Sequence, residues 1–561
     1  MGNRPANSFV NSYEKDVEEI RDRYKVLRDL DVFILDNSIR ESTVGQLKGH
    51  TLESKWEIYN EVKKCGFENT IVASFSHMTR VDDIFIKQLV EKGEDRNGLF
   101  AFSEVTDSVK NMIPNTEIVP IGLRKLKEVG LWNVILEVDL GDTTYNFLEF
   151  SVEKMAQLIK KWVVWIHENL HKHAKVFVNF RDLPEVMPFH SERIFYIIDY
   201  MTRLPKDLKL FGLLFEEPKG TSLPDEFGLM TKYIRKKMNA NNWKGHLLIH
   251  VHEKFGFSDY TALEALLNGA NGVWASVCLE GAAMGNASSC VTLLNLIRLG
   301  NKNLLKKYTC TYLRKAAINI TKITTGEDPH SKQPVYGERA LDLVLGLDKE
   351  EFDLSEFFGE KAPVRISSVA SPEMIRTRLV QIFGEDEKFT IEKAYKMKEV
   401  MLDDLKQSRK EEYMSTVGLA MLFDRAGGAI TVTMRDAISK EEVVRPHAQN
   451  MIAEIRRRWD DWDLKDEVQG DDMLEYDSFY NGFMAPYFSC YRCSETKKAL
   501  QAIDMDTDGQ VDWDEFLVYI KWAIHEYPDV KDADELLDIA FRKGLIPAMQ
   551  DELLKNRYAC N

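Results

Sequence analysis

His246-Leu247-Leu248-Ile249-His250-Val251-His252-Glu253-Lys254-Phe255-Gly256 reads as a strand running into a loop. Side chains of an extended chain alternate faces, so His250 and His252 point the same way and can grip one cation together. Alone, the spacing suits surface or hydrogen-bonded core histidines as well as ligands. Its neighbours decide more. Seven other short apolar runs alternate with longer stretches of helical spacing: Val32 to Asp36, Thr70 to Phe75, Leu99 to Glu104, Val134 to Leu140, Lys175 to Phe180, Leu210 to Glu217 and Gly272 to Cys278. With the histidine strand they make eight strand candidates, as a (β/α)8 barrel requires, although a doubly wound open sheet uses the same alternation.

A barrel places its chemistry at the carboxyl ends of its strands. The first run ends in Asp36-Asn37-Ser38-Ile39-Arg40-Glu41-Ser42, the sixth in Glu217-Pro218-Lys219-Gly220, and the eighth leads to Gly281-Ala282-Ala283-Met284-Gly285-Asn286. An arginine and carboxylates thus come to the face where the seventh run presents its histidines.

These landmarks, in this order, resemble the DRE-TIM metallolyases: isopropylmalate and homocitrate synthases, 3-hydroxy-3-methylglutaryl-CoA lyase and 4-hydroxy-2-oxovalerate aldolase. That family's first strand ends in Arg-Asp-Gly, its seventh carries His-x-His-Asn-Asp-x-Gly, and its eighth leads to a Gly-x-x-x-Gly-Asn loop. Gln333-Pro334-Val335-Tyr336-Gly337-Glu338-Arg339-Ala340 and Ser371 to Lys406 resemble the segments that follow the barrel in the synthases. The resemblance implies an α/β chain with a TIM barrel and a small helical subdomain. It also implies a divalent metal (Mn, Zn, Co, Fe or Mg) held by Glu41, His250, His252 and Asn286. Arg40 would stabilise an enolate or oxyanion, and Glu217 would orient substrate or water. The substrate would be a 2-oxo or 2-hydroxy acid, with an acyl-CoA as co-substrate, and the protein a homodimer.

The chain departs from the pattern at several points. Glu41 stands for Asp, Val72 for the acid of the second strand, Glu253-Lys254 for Asn-Asp, and Ala282-Ala283 for a Glu-Arg pair; no histidine occurs in Leu341 to Leu347. A barrel kept as a non-catalytic, calcium-responsive interaction scaffold is the competing expectation.

From about Thr416 long acidic helices take over, around Asp504-Met505-Asp506-Thr507-Asp508-Gly509-Gln510-Val511-Asp512-Trp513-Asp514-Glu515. These are EF-hand calcium-loop residues. Asp504, Asp506 and Asp508 offer side-chain oxygens, Gln510 a backbone carbonyl, Asp512 a water-mediated contact and Glu515 a bidentate carboxylate, with Gly509 at the sharp turn. Leu422 to Thr431, Glu467 to Ser478 and Phe541 to Ile546 are degenerate relatives expected to be calcium-silent. The predicted order is a helical lead-in (1–30), the barrel (31–300), a post-barrel helical subdomain (301–410) and an all-α EF-hand domain (411–561).

Composition sets the outer limits. Over 561 residues, 44% are hydrophobic and 29% charged, and the net charge is −16. No apolar run approaches the ~18–20 residues of a membrane span. Phosphate-backbone binding needs clustered Lys and Arg, so no nucleic-acid partner is expected. Seven scattered cysteines and the lack of an apolar N-terminal segment predict a reducing, cytoplasmic setting. Cys490-Tyr491-Arg492-Cys493 has no second pair nearby and is read as ordinary thiols.

Overall fold

The computed structural model describes residues 4–41, 50–75, 80–281, 284–344, 346, 355–359, 361–407, 413–443, 445–466, 469–485, 500 and 503–545. These fall into two compact units, residues 1–341 with 352–361 and residues 342–351 with 362–561. The division runs inside the span 301–410.

In the first unit eight parallel strands close on themselves in chain order: β1 (Phe33–Asp36), β2 (Asn69–Ser74), β3 (Leu99–Glu104), β4 (Asn133–Val138), β5 (Val176–Phe180), β6 (Gly212–Glu217), β7 (His246–Val251) and β8 (Gly272–Ala275). The barrel closes through β1 and β8, where Phe33 pairs with Gly272 and Asp36 with Ala275. The open-sheet alternative is thereby removed. All eight predicted runs form strands, most ending a residue or two from the predicted bounds.

Alternation along the strands separates two cores. Leu35, Phe100, Phe102, Ile135, Leu214 and Trp274 fill the barrel interior, while Ile34, Val72, Val134 and Phe215 pack outward against the helices. A bulge shifts the β2–β3 register between Ile71 and Ala73 and leaves Val72 on the outer side. The helix Val152–Asn169 shows the matching pattern. It buries Met155, Ile159, Trp162, Val163 and Ile166 at helical spacing, and Ser151 caps its first turn.

Strand packing leaves no room for a side chain at Gly272, where an added Cβ would lie 2.0 Å from the Phe33 carbonyl oxygen and 2.7 Å from Leu248. Gly272→Ala is expected to cost about 1–3 kcal/mol through overpacking. A chemical-denaturation midpoint equal to that of the parent would contradict this.

Residues after the barrel strands serve it too. Tyr308 donates its hydroxyl to the Val32 carbonyl and accepts from the Ile34 amide, at 2.9 and 3.2 Å. Tyr336, in the segment that resembles the synthases, accepts the Leu279 amide at 2.6 Å and so braces the loop that follows β8.

Among the described residues the second unit is helical, with one short antiparallel ribbon of Met473–Glu475 and Gln510–Asp512. Its helices include Thr416–Arg425, Val432–Lys440, Pro446–Asp463 and Trp513–Glu526, packed around Trp459, Phe479, Phe483 and Phe516. Residues 540–545 form a π-helical turn, so Phe541 to Leu545 is not a loop as its degenerate reading suggested. Cys490 and Cys493 lie outside the described residues. No helix among the described residues is long and apolar enough to cross a membrane.

Candidate metal centres

At the carboxyl end of the barrel, β6 and β7 bring Glu216, His250 and His252 together. The register pairs Glu216 with His250. Leu214 faces the interior and Phe215 the outer core, so Glu216 continues the inward phase. All three residues are buried, and each offers a ligand atom within 4.8 Å of the others.

The tautomer of His250 follows from its partner. Nδ1 lies 2.7 Å from the Trp274 carbonyl oxygen, which can only accept, so Nδ1 carries the proton and Nε2 keeps its lone pair. The ring stacks on the Trp274 indole at 4.3 Å between centroids. Its bare Nε2 faces His252 Nε2 at 3.1 Å. A carboxylate and two imidazole nitrogens converging in this way fit a divalent transition metal by donor chemistry. The arrangement is preorganised by backbone register and by one second-layer carbonyl.

The other expected site residues lie as follows. The Arg40 guanidinium sits over the Phe102 ring, 5.0 Å from its centroid, and its charge reaches Glu137. Glu41 ends the short helix Ser38–Glu41, and its side chain lies outside the described residues. Glu217 is on the outward phase of β6. Its Oε1 accepts from the Thr221 amide at 3.3 Å and the Ser222 hydroxyl at 3.4 Å, tying down its own loop. Asn286 pairs by backbone with His252. Its carboxamide accepts from the Ser276 amide at 3.3 Å and donates to the Leu279 and Glu280 carbonyls at 3.4 and 3.3 Å, so it holds the glycine loop closed.

The structure thus groups Glu216, not Glu217, with the histidines. Strand phase was the signal that could have found it, since Glu216 follows interior Leu214 by two. A second polar group was also not anticipated. Arg181, just beyond β5, makes a bidentate pair with Asp139 at 3.0 and 2.7 Å and a single contact with Glu104 at 2.7 Å. Glu137 lies 3.8 Å from the same guanidinium. Burial, with Glu137 close by, pushes Glu104 above the usual carboxylate range, and burial pushes Glu137 the same way. Glu104, Glu137 and Arg181 sit at or beyond the ends of their strands, where a sequence shows charge without showing convergence.

The short helix bearing Arg40 is anchored from behind. Lys55, fully buried, donates to the Ile39 carbonyl at 3.0 Å and pairs with buried Asp82 at 2.6 Å.

In the second unit, the loop from Asp504 to Glu515 turns around its first carboxylate. Asp504 accepts the amides of Asp508 and Gly509 at 3.1 and 2.9 Å, and Gly509 has φ +92°. Asp512 and Glu515 cap the following helix reciprocally. The ligand atoms of Asp504, Asp506 and Asp508 form one cluster, and those of Asp506, Asp512 and Glu515 another. Val511 pairs with Leu474 across the ribbon, and Asp472 occupies a left-handed position at φ +71° in the partner loop.

No protein-family model matches the chain. Over 258 residues it is 20% identical to the 2-isopropylmalate synthase of Nitrosomonas europaea, covering 46% of each chain. This likeness is to a DRE-TIM metallolyase. The chain spans about half the length of that curated relative. Among solved structures, a hydroxymethylglutaryl-CoA lyase from Pseudomonas aeruginosa aligns at 12% identity and a TM-score of 0.41, covering 56% of this chain and 99% of that one. The carboxyl transferase domain of Rhizobium etli pyruvate carboxylase aligns at 10% identity and a TM-score of 0.38, covering 92% and 78%.

Proposed function

We propose that the barrel is a divalent-metal-dependent protein that forms or cleaves a carbon-carbon bond on a 2-oxo or 2-hydroxy acid. The observation that carries this reading is the convergence of Glu216, His250 and His252, with the His250 tautomer fixed for ligation. Likeness to a 2-isopropylmalate synthase supports the reaction class. Glu216, His250 and His252 would hold the metal, with Glu41 and Asn286 as further candidates. A bound metal supplies Lewis acidity toward the substrate's oxygens. Arg40, always cationic and kept over the Phe102 ring, would meet negative charge developing on the substrate. Trp274 holds the His250 ring, and interior Phe102 and Trp274 keep the floor of the site apolar. Metal analysis of the purified chain, followed by an oxo-acid and acyl-CoA turnover screen with and without chelator, tests the reading. Metal binding at unchanged affinity in a His250→Ala variant would reject it.

A barrel that holds metal without turning over substrate is the second reading. Val72 favours it, because it sits in the outer core where the resembling family has an acid. The same screen separates the two: bound metal with no product from any oxo-acid supports the scaffold. The chain is read as a cytoplasmic homodimer.

For the second unit we propose an EF-hand that binds calcium through Asp504, Asp506, Asp508, the Gln510 carbonyl and Glu515. The loop's own hydrogen bonds, the ribbon pairing with a second loop and the following capped helix support this. Burial among Asp512 and Asp506 pushes Glu515 up to about 8, the situation a bound cation relieves. Asp504→Ala is expected to abolish calcium binding in a fluorescence or calorimetric titration. An isotherm that matches the parent would remove the assignment.

A further inference from the structure

Arg435 lies on the helix Val432–Lys440, far in sequence from the acidic loop, yet its guanidinium is set among the loop's carboxylates. Nη1 is 3.0 Å from Asp512 Oδ2, 3.4 Å from Asp506 Oδ2 and 3.7 Å from Glu515 Oε1. Those are the three residues of one of the two carboxylate clusters in the loop. The side chain is only 12% exposed, so packing and not solvent fixes its position. Asp504 and Asp508 belong to the other cluster, where Asp504 accepts the Tyr476 hydroxyl at 2.5 Å.

The helix that carries Arg435 is tied to this region at its other end too. Lys521, on the helix leaving the loop, donates to the carbonyls of Ile438, Ser439 and Glu441 at 2.7, 2.9 and 2.7 Å. One tie is made to backbone carbonyls and occupies none of the loop's carboxylates. The other runs through the carboxylates that a cation needs. Two positive charges drawn to one small set of oxygens repel each other strongly in partly buried surroundings. A displaced guanidinium keeps a partner in Asp436, which it already meets through Nε at 3.1 Å.

We propose that Arg435 is a built-in competitor for calcium at the Asp504–Glu515 loop, so that calcium binding releases the Arg435 end of the helix Val432–Lys440. The inference rests on the calcium reading of that loop. It makes the loop a switch: calcium and Arg435 exclude each other, and by linkage whatever draws Arg435 away from the loop raises calcium affinity by the same factor.

The test is calcium titration of the full chain as parent, Arg435→Gln, Arg435→Lys and Asp504→Ala. Removing the charge is expected to tighten calcium binding by about tenfold, within the ~5- to 150-fold range of allosteric couplings. Arg435→Lys, which keeps the charge, should stay near the parent. A role confined to packing would weaken binding in both variants or move neither, and either result overturns the proposal while leaving the calcium loop intact. If parent, Arg435→Gln and Asp504→Ala give the same calcium response, the loop assignment itself fails and the competition fails with it.

Discussion

Glu216→Gln is expected to lower divalent-metal affinity at the barrel by about 100-fold or more, whereas Glu217→Gln leaves it unchanged. The two residues are adjacent and both buried, so composition and burial do not separate them. Phase does. Glu216 shares the inward phase with Leu214 and pairs in register with His250, while Glu217 follows outward-packed Phe215 and accepts hydrogen bonds from Thr221 and Ser222. Loss of an outer-layer partner alone typically reduces metal affinity by about 10- to 100-fold, so loss of a direct carboxylate ligand lies at or beyond the top of that range. Glutamine keeps the size of the side chain and removes its charge, so folding should be preserved and the effect confined to binding. Because imidazoles ligate only when neutral, affinity in the parent should also fall as pH is lowered. Titration of Zn or Mn into the three proteins by calorimetry decides the matter. Equal affinities for Glu216→Gln and the parent would remove Glu216 from the centre, and a loss confined to Glu217→Gln would make the outer residue the ligand.

How far the site was legible follows from the range over which each signal acts. His250 and His252 were readable because two-residue spacing in a strand fixes relative direction locally. Eight apolar runs with helical stretches between them made an alternating α/β chain readable, but a doubly wound sheet shares that alternation, and it was the resemblance of the strand-end landmarks that implied the barrel. Glu216 required knowing which of two consecutive residues faces inward, and a one-residue shift in strand phase reverses that choice. The Arg181 group was out of reach for a different cause: Glu104, Glu137, Asp139 and Arg181 come from three strand ends and converge through the register of the β3–β4–β5 pairing, in which Glu104 stands beside Glu137. Arg435 is a third kind of case. Nothing in Val432 to Lys440 marks a residue destined for a loop more than sixty positions later.

Lys55→Met is expected to lower the stability of the chain by about 3–5 kcal/mol, the usual cost of leaving one member of a buried ion pair without its partner. Lys55 and Asp82 have side chains 1% and 8% exposed and meet at 2.6 Å, so water cannot replace the lost ammonium at the Asp82 carboxylate. The Ile39 carbonyl loses its donor at the same time. Methionine approximates the aliphatic stem of lysine, which separates the electrostatic loss from a cavity effect. Replacing both charges, in Lys55→Met with Asp82→Leu, should recover most of the stability, because the isolated buried charge and not the missing attraction dominates the single variant. The pair also has a positional consequence. Ile39 precedes Arg40 in the short helix Ser38–Glu41, and Lys55 is the cation that holds that helix by its backbone. The double variant, though stable, should therefore still bind a 2-oxo-acid probe more weakly than the parent, with metal affinity at Glu216, His250 and His252 unaltered. Denaturation midpoints for the three proteins, with probe and metal titrations on the double variant, separate these effects. A single variant as stable as the parent would show that the Asp82 charge is accommodated without Lys55, and full probe affinity in the double variant would show that Arg40 keeps its place unaided.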